Sequence, residues 1–80
     1  MGVLTIRDEI LMIVEQSGYS SISYINDKST YTSNDVGNAI YDMLYDELLI
    51  KEKDYNNEWS YKLTRRGRIF FNKILKCSVK

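Results

Sequence analysis

The chain has 80 residues, room for one domain and one small core, and its 44% hydrophobic and 28% charged side chains are ordinary for a globular fold. A single cysteine, Cys77, and no histidine exclude a disulfide framework and a zinc site within one chain, fit a reducing cytoplasm, and remove the commonest general base. The net charge of zero hides a split: residues 1–50 carry two cations and eight anions, and residues 51–80 carry nine cations and three anions. That asymmetry suggests an anionic partner for the basic half, or two halves that interleave and simply solvate the surface.

In chain order, Thr5 to Gln16 reads as a first helix. Thr5 can cap it, Asp8 and Glu9 suit the positive end of its dipole, and Ile6, Ile10, Leu11, Ile13 and Val14 recur on one face. Gly18 is placed to end it in a left-handed conformation. Ser20-Ser21-Ile22-Ser23 reads as a short β segment before a two-turn helix over 23–29, with Ile22 and Ile25 as buried anchors; a strand through 21–25 is the competing reading. A third helix is capped within Thr32-Ser33-Asn34-Asp35 and carries Val36, Ala39, Ile40, Met43 and Leu44 on its apolar face, continuing to Glu47. Gly37 inside it suggests the close approach of a neighbouring element. Leu49 and Ile50 begin a strand, Tyr55-Asn56-Asn57-Glu58 is a turn, and Trp59, Tyr61 and Leu63 alternate with Ser60 and Lys62 as a half-buried second strand. Thr64 can cap a last helix over 65–76, whose Ile69, Phe70, Phe71, Ile74 and Leu75, followed by Cys77, form a broad apolar arc that either wraps the core or meets a second subunit. Lys73, Lys76 and Lys80 suit the negative end of its dipole.

No apolar run approaches the length of a membrane span, and no basic-then-apolar leader opens the chain. No Gly-rich phosphate loop, no nucleophile beside a base and no paired acids suggest catalysis, so no catalytic residue, metal or cofactor is expected.

The order helix, helix, helix, strand, turn, strand, helix resembles a winged helix-turn-helix domain. That is an α+β, mostly α fold of three helices, a two-to-three-stranded β-wing and a C-terminal helix, here a single domain over residues 1–80. Val36 to Leu44 followed by Leu49-Ile50 resembles the recognition helix and first wing strand of prokaryotic regulators of the MarR, PadR and ArsR kind. Tyr61-Lys62-Leu63-Thr64-Arg65-Arg66-Gly67-Arg68 is similar to the Y-x-L-T-x-x-G run that closes the wing in many of them. Those families usually place Gly between the recognition helix and the wing, where Leu48 stands here. The resemblance implies a cytoplasmic transcriptional regulator that binds double-stranded DNA, with the third helix in the major groove and the wing on the backbone or minor groove. It implies a homodimer through the terminal helices; compact regulators of this sort are common in prokaryotes, their viruses and mobile elements. Carried over, the DNA-facing residues are Thr32, Ser33, Asn34, Asn38 and Tyr41 on the helix, Lys53, Tyr55, Asn56 and Asn57 on the wing, and Arg65 and Arg66 reaching for phosphate.

The residues themselves raise an objection. No Lys or Arg lies between Ser29 and Ile50, whereas Asp35, Asp42, Asp46 and Glu47 do. Phosphate contact needs positive charge. The alternative is a protein–protein module that docks Asn38, Tyr41, Asp42 and Tyr45 on a basic protein partner. Trp59 and Tyr61 are expected in the hairpin core, Cys77 is an inert small hydrophobe, and Tyr19, Tyr24, Tyr31, Tyr41 and Tyr45 are expected to be partly buried. Arg65, Arg66 and Arg68 sit where the dipole of the last helix disfavours cations, which points to an anionic ligand or to a solvated first turn.

Overall fold

The computed structural model describes residues 5–78, with side chains described through Ile74. Its elements are α1 (Ile6–Ser17), α2 (Ile22–Lys28), α3 (Ser33–Tyr45), β1 (Leu49–Lys53), β2 (Trp59–Leu63) and α4 (Arg65–Ser78). This is the α+β winged helix-turn-helix arrangement. The expectations for the side chains of Leu75, Lys76 and Cys77, and for Lys80, lie outside the described residues. No described helix is long and apolar enough to cross a membrane.

Local chemistry sets most of the boundaries. Thr5 Oγ1 accepts the Asp8 amide at 3.2 Å, and Gly18, with φ +82°, donates its N–H to the Val14 carbonyl at 2.8 Å. The next segment is a helix rather than a strand, because Ser21 Oγ caps it by accepting the Tyr24 amide, which starts α2 one residue earlier than the spacing suggested. Of the expected β segment, only Ser20 pairs with the sheet. It exchanges two backbone hydrogen bonds with Tyr61, at 2.9 and 2.8 Å, as a one-residue third strand beside β2. Ile25 is fully buried, but Ile22 is 42% exposed. A two-turn helix meets the body along one line, and Ile22, in its first turn, falls beyond it.

α3 ends at Tyr45, two residues short of expectation. The Glu47 amide donates to Leu44 O at 3.1 Å and the Leu48 amide to Met43 O at 2.8 Å. That pair of bonds is a Schellman stop, with Glu47 in the left-handed region at φ +62°. The glycine-like conformation therefore falls on Glu47 and not on Leu48. Met43 and Leu48 bury together beneath the stop, which holds a non-glycine residue there. Gly37, by contrast, answers no crowding: an added Cβ would have no neighbour within 4 Å.

β1 and β2 pair antiparallel with Leu49 facing Leu63, Lys51 facing Tyr61 and Lys53 facing Trp59. The turn is held by Asp54, whose carboxylate accepts the Asn56 and Glu58 amides at 2.8 and 3.0 Å, while Asn57 takes φ +66°. Ile10, Leu11, Val14, Ile25, Val36, Ile40, Met43, Leu48, Leu49 and Tyr61 form one core, with Phe71 and Ile74 of α4 half-buried against it. Trp59 is not in that core and stands 49% exposed. It shares a face of the hairpin with Leu49 and Tyr61, but stands at the turn end of that face, paired with the exposed Lys53.

The Thr64 hydroxyl joins three elements. It donates to the Glu47 carbonyl and accepts the Gly67 amide at 2.9 Å, while the Thr64 amide donates to Leu48 O at 3.1 Å. Gly67 packs so closely there that a Cβ would lie 2.1 Å from Leu48 O. The Leu63-Thr64-x-x-Gly67 run is thus the junction between the end of α3, the wing and α4.

Candidate nucleic-acid interface

A helix advances about 100° per residue, so Asn34, Asn38, Tyr41, Asp42 and Tyr45 share the side of α3 opposite Val36, Ala39, Ile40 and Met43. The first set is exposed and the second buried. Tyr41 and Tyr45 are 75% and 86% exposed, and Tyr19 and Tyr24 also face solvent; of the five tyrosines expected to be partly buried, Tyr31 alone packs against the core.

The acids on α3 are sorted. Asp46 pairs with Arg7 of α1 at 2.6 Å. Asp35 and Asp42 border the groove between α3 and α1, which Ile6 and Tyr31 also line. Asn38 lines that groove too, and Asn34, Tyr41 and Tyr45 lie along the other edge of the exposed stripe. The start of α3 is anchored from beneath by Glu9, whose carboxylate accepts the Ser29 hydroxyl and, from Thr30, the hydroxyl at 2.8 Å and the amide at 3.1 Å. Partial burial pushes the Glu9 carboxyl up, but the hydrogen bonds from Ser29 and Thr30 outweigh it and hold the group below the ordinary glutamate range. Thr32 caps α3 by accepting the Asp35 amide at 3.2 Å and is exposed together with Ser33.

Lys53, Tyr55, Asn56 and Asn57 cluster at the exposed tip of the wing, with Tyr55 91% exposed. Arg65 and Arg66 do not join either group. They line a groove with Leu44, Glu47, Ile50 and Lys51, at the C-terminal end of α3. That is roughly 20 Å, one length of α3, from Thr32. The placement accounts for their unfavourable position in α4, since the negative end of the α3 dipole lies beside them. Arg68 is paired with Glu15 at 3.0 Å, whereas neither Arg65 nor Arg66 has an acidic partner among the described residues. Lys51 escaped the sequence reading. The signal was present in the hairpin register, which puts Lys51 and Lys53 on the same face as Trp59.

Three helices, a helix-turn-helix step from α2 to α3, and a hairpin wing closed by α4 define a winged helix-turn-helix domain. The solved structures it resembles include transcriptional regulators of the MarR family. BpsR of Bordetella bronchiseptica, a protein whose DNA binding is regulated by 6-hydroxynicotinic acid, superposes with a TM-score of 0.81 at 16% identity, over 92% of this chain and 54% of that one. A MarR-family transcriptional regulator from Silicibacter pomeroyi gives 0.80 at 19% identity, over 94% and 51%. The transcriptional regulator BldR from Sulfolobus solfataricus gives 0.75 at 18% identity, over 92% and 56%. The chain spans about half the length of these structures. No protein-family model and no curated protein sequence matches it.

Proposed function

We propose that this chain is a DNA-binding domain of the transcriptional-regulator type, which sets the first half of α3 in the major groove of duplex DNA and lays the wing along the adjacent backbone. The observation that carries this reading is the exposed stripe of Asn34, Asn38 and Tyr41 on α3 of a fold shared with MarR-kind regulators. Asparagine can read adenine through two hydrogen bonds, and Thr32 and Ser33 can donate to phosphate. Asp46 is neutralised by Arg7, and Asp35 and Asp42 lie toward α1 beside Asn38, so the acids leave the Asn34 and Tyr41 edge clear. Lys53, Tyr55, Asn56 and Asn57 contact the backbone from the wing. Arg65 and Arg66, at the far end of α3, contribute a field that steers association. The reading carries with it a cytoplasmic location and a homodimer through the terminal helices, where Ile69 and Phe70 of α4 are 53% and 42% exposed.

Fluorescence anisotropy on random duplex DNA against salt tests it. Binding at low salt that weakens steeply with added salt is expected. Asn34→Ala with Asn38→Ala should erase sequence preference while leaving the salt slope in place. Absence of binding at low salt would sink the reading. It would favour a protein-docking module, which the exposure of Tyr41 and Tyr45 beside Asp42 supports.

A further inference from the structure

The wing carries a cluster whose chemistry extends beyond the contacts assigned above. Lys51 Nζ lies 4.7 Å and Lys53 Nζ 5.1 Å from the centre of the Trp59 ring. Their mutual distance cannot exceed the sum of those two values, about 10 Å. Two ammonium groups on one face of one strand repel each other, and elsewhere in the wing a carboxylate relieves such charge. Glu52 holds Lys62 at 3.0 Å on the opposite face, and Asp54 is committed to the turn amides. Neither Lys51 nor Lys53 has a carboxylate partner among the described residues; the indole holds both.

A carboxylate would neutralise a lysine. An aromatic face orders it and leaves its charge intact, and indole is the best ring for this. Ordering before contact lowers the entropic cost of using a long, flexible side chain on a ligand. One strand of duplex DNA carries a charge per about 3.4 Å of axis, so two ammonium groups less than about 10 Å apart can reach phosphates that are close neighbours along one strand.

We propose that Trp59 is a positioning residue: its indole holds Lys51 and Lys53 as a two-point clamp for neighbouring phosphates of one DNA strand. The proposal rests on the DNA-binding reading of the wing. It adds Lys51 as a direct contact and Trp59 as the residue that sets both lysines without touching DNA.

The test combines DNA anisotropy titrations against salt with NMR of the lysine ε-methylene protons in the free protein, for the native chain, Trp59→Leu, Trp59→Phe and the Lys51→Gln, Lys53→Gln pair. In the free native protein the ε-protons of both lysines should be shifted upfield by the ring, less so in Trp59→Phe and not at all in Trp59→Leu. Trp59→Leu should weaken DNA binding by about tenfold, with Trp59→Phe recovering most of it. The glutamine pair should lower the slope of log affinity against log salt by about 2. Cross-strand contacts between Lys53 and residue 59 report whether the hairpin persists. If Trp59→Leu loses them, the proposal stands or falls on whether the affinity of Trp59→Phe tracks its remaining ε-proton shifts. Equal affinity of the native chain and a folded Trp59→Leu overturns the clamp alone. A native chain that binds no DNA at low salt overturns the DNA reading, and the clamp with it.

Discussion

Glu47 holds a backbone conformation that glycine adopts freely and most side chains resist. Its side chain is exposed, and its carbonyl, not its carboxylate, receives the Thr64 hydroxyl. Glu47→Gly should therefore keep every bond of the junction and relieve about 1 kcal/mol of strain, raising the melting temperature by roughly 4–8 °C. Gly67→Ala should act in the opposite direction, costing about 2 kcal/mol or more, because the new Cβ collides with backbone that cannot step aside. Calorimetry on the two variants checks both signs. Glu9 gives a pH signature. Its folded-state pKa lies below the unfolded value, so its contribution to stability is complete above the ordinary glutamate range and is lost as pH falls through the depressed value. Acid denaturation of the native chain should steepen below about pH 5, and Glu9→Gln should flatten that limb while reducing stability at neutral pH.

Among the elements, α3 shows how much a sequence can say about a site. Its start, its buried face and its exposed stripe follow from caps and period, which are local signals: Thr32, Val36 and Ile40 carry their own instructions. What the helix does with its acids was not legible. Asp46 is relieved by Arg7, 39 residues earlier, and no spacing rule links the two. The wing divides in the same way. Alternation grouped Trp59 with Tyr61 and Leu63, but alternation cannot say whether anything stands opposite the end of a strand: Trp59 is exposed there, and Ser60 is buried on the other face. The stop at Glu47 was hidden because packing of Leu48 on Met43, not the preference of residue 47, sets it. Asp42 makes the DNA reading testable at this scale. It is the remaining acid beside Asn38, so Asp42→Asn should tighten binding to random duplex by severalfold at low salt and change little at high salt. Titration at two ionic strengths checks it; an unchanged affinity at low salt means that α3 does not approach DNA.

For the molecule as a whole, the opposite charges of the two halves of the chain do not mix completely. Arg68–Glu15 crosses between them, yet Arg65, Arg66, Lys51 and Lys53 have no carboxylate partner among the described residues. α4 packs Phe71 and Ile74 inward and leaves Ile69 and Phe70 facing solvent. In the proposed homodimer a partner copy covers them. Sedimentation at micromolar concentration should then show a dimer, and Phe70→Asp should return it to monomer with the domain still folded. A native chain that sediments only as monomer rejects this arrangement.

The Thr64 junction bears on how the domain would move. The end of α3, the base of the wing and the first turn of α4 meet at one hydroxyl and two amides, with Gly67 pressed against Leu48. No slack remains there to absorb a rotation. α4 is therefore expected to act as a lever with its fulcrum at Thr64, so that a tilt of its long arm swings the end of α3 and the base of the wing together.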